Sequence, residues 1–123
     1  MKAISTPKAP AAIGPYSQAV DCGSLIFVSG QLPINPENGE IPEGIEAQTR
    51  QALSNVDEIL KAAGLSIKNA CKVTVYLSDI SEFADMNKCY AEFFSEPYPA
   101  RAAIQAAALP KGAKIEVDVI ASK

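Results

Sequence analysis

Arg101 stands at the opening of Pro99-Ala100-Arg101-Ala102-Ala103-Ile104-Gln105-Ala106-Ala107-Ala108-Leu109, a segment that reads as a strand with small apolar residues on both faces. A strand with one solvated face alternates apolar with polar residues, so both sides of this one are expected to be covered. A guanidinium at the mouth of such a surface is costly unless it meets an anion, and its planar fork matches a carboxylate. The expectation is that Arg101 grips the carboxylate of a small substrate, in a cleft that one chain does not build alone.

Glu116 is the second candidate. A turn at Pro110-Lys111-Gly112 precedes a last strand in which Ile115, Val117 and Val119 alternate with Lys114, Glu116 and Asp118. If the chain simply reverses there, Arg101 lies level with residues near Ser122. Glu116 then stands six residues, about 20 Å, further along. For an arbitrary pair a structural salt bridge is the simpler reading. On this geometry the two do not meet within one chain, and a shared site requires neighbouring subunits.

Three further side chains have the type and setting to join them. Asn87 lies between Phe83 and Tyr90 on an apolar helical stripe, where a buried amide needs partners; a loop carbonyl is the alternative to a site role. Ser29 sits where an apolar strand meets Gly30, and the alternative is a turn hydroxyl. Tyr16 follows Gly14-Pro15, a bend that can present a phenol to a cleft or simply pack it.

The composition excludes a good deal. There is no histidine, which removes Ser-His-Asp and Cys-His machinery and the commonest metal ligand. Cys22, Cys71 and Cys89 are odd in number and widely spaced, without a C-x-x-C pair, so neither a disulfide framework nor a zinc site is expected. Each is expected to pack as a small hydrophobe. Gly14, Gly23 and Gly30 lack the strand-loop-helix setting of a phosphate loop, and nothing calls for a cofactor. A net charge of −3 without a basic cluster argues against an electrostatic grip on nucleic acid. No apolar leader or membrane-length stretch is visible, which points to the cytoplasm.

The elements that position these residues follow from periodicity. Ser17 to Cys22 and Leu25 to Ser29 read as strands, the second apolar on both faces and so central. Pro33, Pro36, Asn38-Gly39 and Pro42 mark a long irregular connection. Ala52, Leu53, Val56, Ile59, Leu60 and Ala63 form one stripe of a helix from about Ile45 to Ala63, with Gly64 placed to end it. Cys71, Val73, Val75 and Leu77 alternate with polar residues in a half-buried strand. Ser81 is the expected N-cap of a second helix carrying Phe83, Met86, Tyr90, Phe93 and Phe94, stopped by Pro97 and Pro99. The order β-β-α-β-α-β-β describes one α+β domain, residues 1–123, with two helices on one face of the sheet. The other face mixes small apolar positions with Thr74, Tyr76, Glu116 and Asp118, a surface open to self-association.

These residues also follow a family pattern. Ala11-Ala12-Ile13-Gly14-Pro15-Tyr16-Ser17-Gln18-Ala19, Val28-Ser29-Gly30-Gln31-Leu32-Pro33, Ala84-Asp85-Met86-Asn87, Pro99-Ala100-Arg101 and Lys114-Ile115-Glu116-Val117 resemble, in order and spacing, the Rid family of reactive intermediate deaminases (YjgF, translation inhibitor L-PSP). The resemblance spans essentially the whole chain. It implies a chorismate-mutase-like fold with a mixed sheet, assembled as a homotrimer around a barrel-like core with clefts between subunits. It implies hydrolysis of enamines and imines such as 2-aminoacrylate, 2-iminopropanoate and 2-iminobutanoate to 2-keto acids and ammonia, without metal or covalent intermediate. It also implies a functional link to the pyridoxal-phosphate dehydratases that release these compounds. By position, Arg101 would hold the substrate carboxylate and Glu116 would orient or activate water, with Tyr16, Ser29, Gly30 and Asn87 lining the pocket. Ala103 stands where many members carry a cysteine, so a thiol there is not expected to be essential. The competing readings are an RNA-cleaving translation inhibitor and a non-catalytic trimer that senses 2-keto acids.

Overall fold

The computed structural model describes residues 1–123. Its strands are β1 (Lys2–Ile4), β2 (Ala19–Asp21), β3 (Leu25–Gln31), β4 (Ala70–Leu77), β5 (Ala100–Gln105) and β6 (Ile115–Ser122), and its helices are α1 (Ile45–Ala62) and α2 (Phe83–Tyr90). The strands form one mixed sheet in the order β1-β2-β3-β6-β4-β5. Every pairing is antiparallel except β4 with β5, which the intervening α2 allows to run parallel.

Alternation along β4 and β6 builds the core. Val73, Val75 and Leu77 point to the same side as Ile115, Val117 and Val119, and all six are buried. Onto them pack Ala52, Leu53, Val56, Ile59 and Leu60 of α1, together with Met86 and Tyr90 of α2. Gly64, at φ +79°, ends α1 as expected. The Gly64 N–H donates to the Lys61 carbonyl and the Leu65 N–H to that of Leu60, so the last carbonyls are satisfied.

Several expectations need correction. The short β1 pairs with β2 and carries too few residues to show a period. The stretch from Ala106 to Leu109 is not strand: β4 ends at Leu77, whose carbonyl takes the Ala106 N–H at 2.8 Å, and no partner lies beyond it. Ser81 is not the N-cap of α2. Asp79 caps a preceding 3-10 turn by accepting from the Ser81 N–H and hydroxyl, and α2 ends at Tyr90, before Phe93 and Phe94. Of the cysteines only Cys89 is buried. A register shift between Ala70 and Lys72 drops Cys71 out of the buried row, and Cys22 is exposed in a turn.

The largest correction concerns β5. It is not covered on both faces but is the edge strand of the sheet, with Ala100, Arg101, Ala102, Ile104 and Gln105 all exposed. Nor is it the neighbour of β6, because β4 lies between them. Arg101 is level with Val73 and hence with Val119, not with Ser122. The sheet face away from the helices carries Phe27, Thr74, Tyr76, Ala102, Ile104, Glu116 and Asp118, and within one chain no helix covers it.

Candidate active site

The structure places the expected site residues in two groups on opposite sides of the sheet. Arg101 pairs with the buried Val73 and so points to the helix side, whereas Glu116 pairs with Tyr76 and points to the open side. They are also separated by about 10 Å along the strands and two strand spacings across them. The two do not meet within one chain, for a stronger reason than distance along a hairpin.

Around Arg101, α2 supplies a cradle. Phe83, Asn87 and Tyr90 recur at helical spacing and face β5. Arg101 Nη1 donates to Asn87 Oδ1 at 2.6 Å, so Asn87 is not an amide seeking a loop carbonyl but the acceptor that orients the guanidinium. The guanidinium carbon lies 4.6 Å from the Tyr90 ring centroid and 5.3 Å from that of Phe83, within cation–π range. Arg101 has no carboxylate partner. The other arginine, Arg50, holds both oxygens of Glu92 at 3.0 and 2.9 Å. The Tyr90 hydroxyl is buried without a hydrogen-bond partner. Burial pushes its phenol up, and the charge of Arg101 opposes that.

The Glu116 group is built from loops as well as strands. Tyr16, Gly30, Leu32, Ile34, Lys111 and Glu116 line a cleft of about 640 Å³. Gly30 lies where β3 slips register against β6, and a Cβ there would sit 2.5 Å from Glu116 Oε2. The absent side chain is therefore what admits the carboxylate. Glu116 is half-buried and makes no hydrogen bond within the chain. Burial, and after it the negative charge of Asp118, raise its proton affinity above that of an ordinary glutamate. Tyr16 is 54% exposed at the rim, where its hydroxyl accepts weakly from the Ile13 N–H at 3.4 Å. Ser29 lies beside the cleft, and its hydroxyl donates to the Ser17 carbonyl at 2.6 Å, a bond to a segment twelve residues away rather than a local turn contact.

Residues outside the expected set hold this cleft together. Gln18 is buried, accepts from the Thr6 N–H and donates to the carbonyls of Thr6, Ala9 and Pro10, stitching the N-terminal segment to the sheet. Asn55 of α1 donates to the carbonyls of Leu32 and Ile34 and so pins the irregular loop forming one wall. Both are amides in otherwise apolar patterns, a signal visible in the sequence. Lys111 has a left-handed backbone at φ 58°, a conformation that costs a non-glycine residue about 1 kcal/mol. A second cleft of about 700 Å³ under the N-terminal segment is lined without a single charged side chain. No three His, Cys, Asp or Glu side chains are grouped to hold a metal ion.

Comparison with known proteins identifies the family. Residues 6–123 match the sequence model of the family described as Endoribonuclease L-PSP. The chain belongs to that family. Family relatives include the 2-iminobutanoate/2-iminopropanoate deaminase of Bos taurus, 52% identical over 98% of this chain and 88% of its own. The protein of the same name from Escherichia coli K12 is 49% identical over 98% of this chain and 96% of its own. Among solved structures, E. coli TdcF with bound serine superposes with a TM-score of 0.95 at 44% identity, covering 100% of this chain and 99% of that one. The single-chain fold and the Rid-type resemblance are thereby those of the family.

Proposed function

We propose that this protein hydrolyses short enamine and imine acids, of the 2-aminoacrylate and 2-iminobutanoate type, to 2-keto acids and ammonia. The observation that carries the reading is the Arg101 guanidinium, without a carboxylate partner, oriented by Asn87 and flanked by two aromatic rings. Relatives at about half identity over nearly the whole chain bear the name 2-iminobutanoate/2-iminopropanoate deaminase, which supports the substrate class.

The active assembly is a homotrimer in which Arg101 of one copy faces the Glu116 cleft of the next. Support comes from the opposite directions of the two groups and from the exposed edge strand and open face, with Phe27 at 41% and Ile104 at 50% exposure. Two parallel N–H donors of Arg101 hold the substrate carboxylate and so set where C2 lies. An enamine first takes a proton at its β-carbon to become the iminium, whose C2 is already electrophilic. Water adds to C2 as Glu116 accepts its proton, giving a carbinolamine. Glu116 returns that proton to nitrogen, and the freed carboxylate takes the hydroxyl proton as the C–N bond breaks, ammonia departs and the carbonyl forms. Tyr16 and Gly30 wall the pocket, and Gly30 leaves room for the carboxylate to approach.

The source of substrate is a pyridoxal-phosphate dehydratase acting in the cytoplasm. Two exposed, unbridged thiols, Cys22 and Cys71, suit a reducing compartment, and no helix is long and apolar enough to cross a membrane. The family description favours RNA cleavage as a second reading; the −3 charge and the missing histidine weigh against it. The test couples a threonine dehydratase to this protein and follows keto-acid formation. A rate above the spontaneous one supports deamination. Equality with the spontaneous rate, alongside cleavage of clean RNA that Arg101→Ala abolishes, replaces it with the nuclease.

A further inference from the structure

Glu116 and Asp118 sit two residues apart on β6, so both side chains leave the same face of the sheet, about 7 Å apart. Tyr76 of β4 stands directly across from Glu116, and its hydroxyl reaches diagonally to donate to Asp118 Oδ2 at 3.0 Å. Asp118 is thereby held against the sheet rather than left to swing into solvent. Glu116 has no such bond and packs against the bare backbone of Gly30.

We propose that Asp118, fixed by Tyr76, is a positioning residue for the Glu116 carboxyl, its charge adding to burial in holding a proton on Glu116. The inference rests on the deaminase reading for its catalytic consequence only.

The other groups facing Glu116 do not neutralise this effect within the chain. On β4 the same face carries Lys72, level with Ile120 and so beyond Asp118, and Thr74. β3 presents Gly30 and Phe27, and β5 presents Ala102 and Ile104. Lys111 and Tyr16 line the cleft walls, and Lys114 is committed to Glu82 at 3.1 Å. Across the proposed interface the incoming charge is Arg101 of a second copy, which pairs with substrate carboxylate. The raised proton affinity of Glu116, with burial as its first cause and Asp118 as its second, agrees with this arrangement.

The test titrates the Glu116 carboxyl by carbon-13 NMR in the assembled wild-type protein and in Asp118→Asn, which keeps an acceptor for Tyr76. The resonance is assigned by its loss in Glu116→Gln. The expected result is a midpoint lower by about half a pH unit in Asp118→Asn, restored in Asp118→Glu. The acid limb of kcat, corrected for spontaneous hydrolysis, moves down with it, a roughly threefold gain in turnover at its foot relative to the plateau. A merely structural Asp118 would lower the plateau and leave the midpoint in place, and an unchanged midpoint overturns the proposal. Asp118→Ser serves the same measurement if the asparagine variant does not fold. Should no variant exceed the spontaneous rate, the deaminase reading fails while the titration still decides the role of Asp118.

Discussion

Arg101 and Glu116 sit in neighbourhoods that the fold secures by opposite means. The Arg101 side is regular structure: an edge strand in parallel register with β4 and one face of α2, with Asn87, Phe83 and Tyr90 at helical spacing. The Glu116 side is a strand residue among loops, closed by a register slip at Gly30 and by two buried amides, Gln18 and Asn55, that tie irregular backbone down. The contrast suits the two tasks. A carboxylate grip needs a fixed direction, which a helix and strand provide, whereas proton exchange needs a half-dry pocket with room for water, which loops can shape. Their placement on opposite faces is what leads us to propose that a complete site needs two copies of the chain.

That comparison orders the expected effects. Arg101→Ala removes the whole grip and is expected to lower kcat/KM by about a thousandfold or more in the coupled assay, with the sedimentation of the assembly unchanged. Arg101→Lys recovers little, because an ammonium cannot reproduce the fork. Glu116→Gln is expected to cost about a hundredfold in kcat with KM nearly constant, read from full saturation curves. Equal turnover would remove Glu116 from the chemistry. Gly30→Ala drives a methyl group into the carboxylate and is expected to cost about tenfold in kcat and about 1–3 kcal/mol of stability by urea titration. An undisturbed kcat there would show that the Glu116 approach is not set by Gly30. Asn87→Ala, which frees the guanidinium without removing it, is expected to raise KM roughly tenfold and leave kcat within about threefold.

The sequence disclosed the parts more readily than their arrangement. Val73-Val75-Leu77 and Ile115-Val117-Val119 alternate strictly, and the α1 stripe ends at a glycine, so the elements and the covered face were legible from period alone. Arg101 stood out as a charge in an apolar segment, whereas Glu116 lies in a polar row with Lys114 and Asp118 and period alone does not set it apart from them. What stayed hidden depends on pairing between distant segments. Reading the turn at Lys111 as a hairpin joined β5 to β6, whereas β4 pairs with both and separates them. With that error the two charges seemed distant along one surface rather than on two faces. The apolar character of β5 was legible; that a single chain leaves it as an exposed edge was not, because composition does not say which molecule does the covering.

The claim that each site draws Arg101 and Glu116 from different copies has a direct measurement. Arg101→Ala and Glu116→Gln chains, each inactive alone, are co-expressed with distinct tags and the mixed assemblies isolated. In every mixed trimer one junction of the three brings both intact side chains together, so the account predicts about a third of wild-type turnover. Mixed assemblies as inactive as either parent would contradict it.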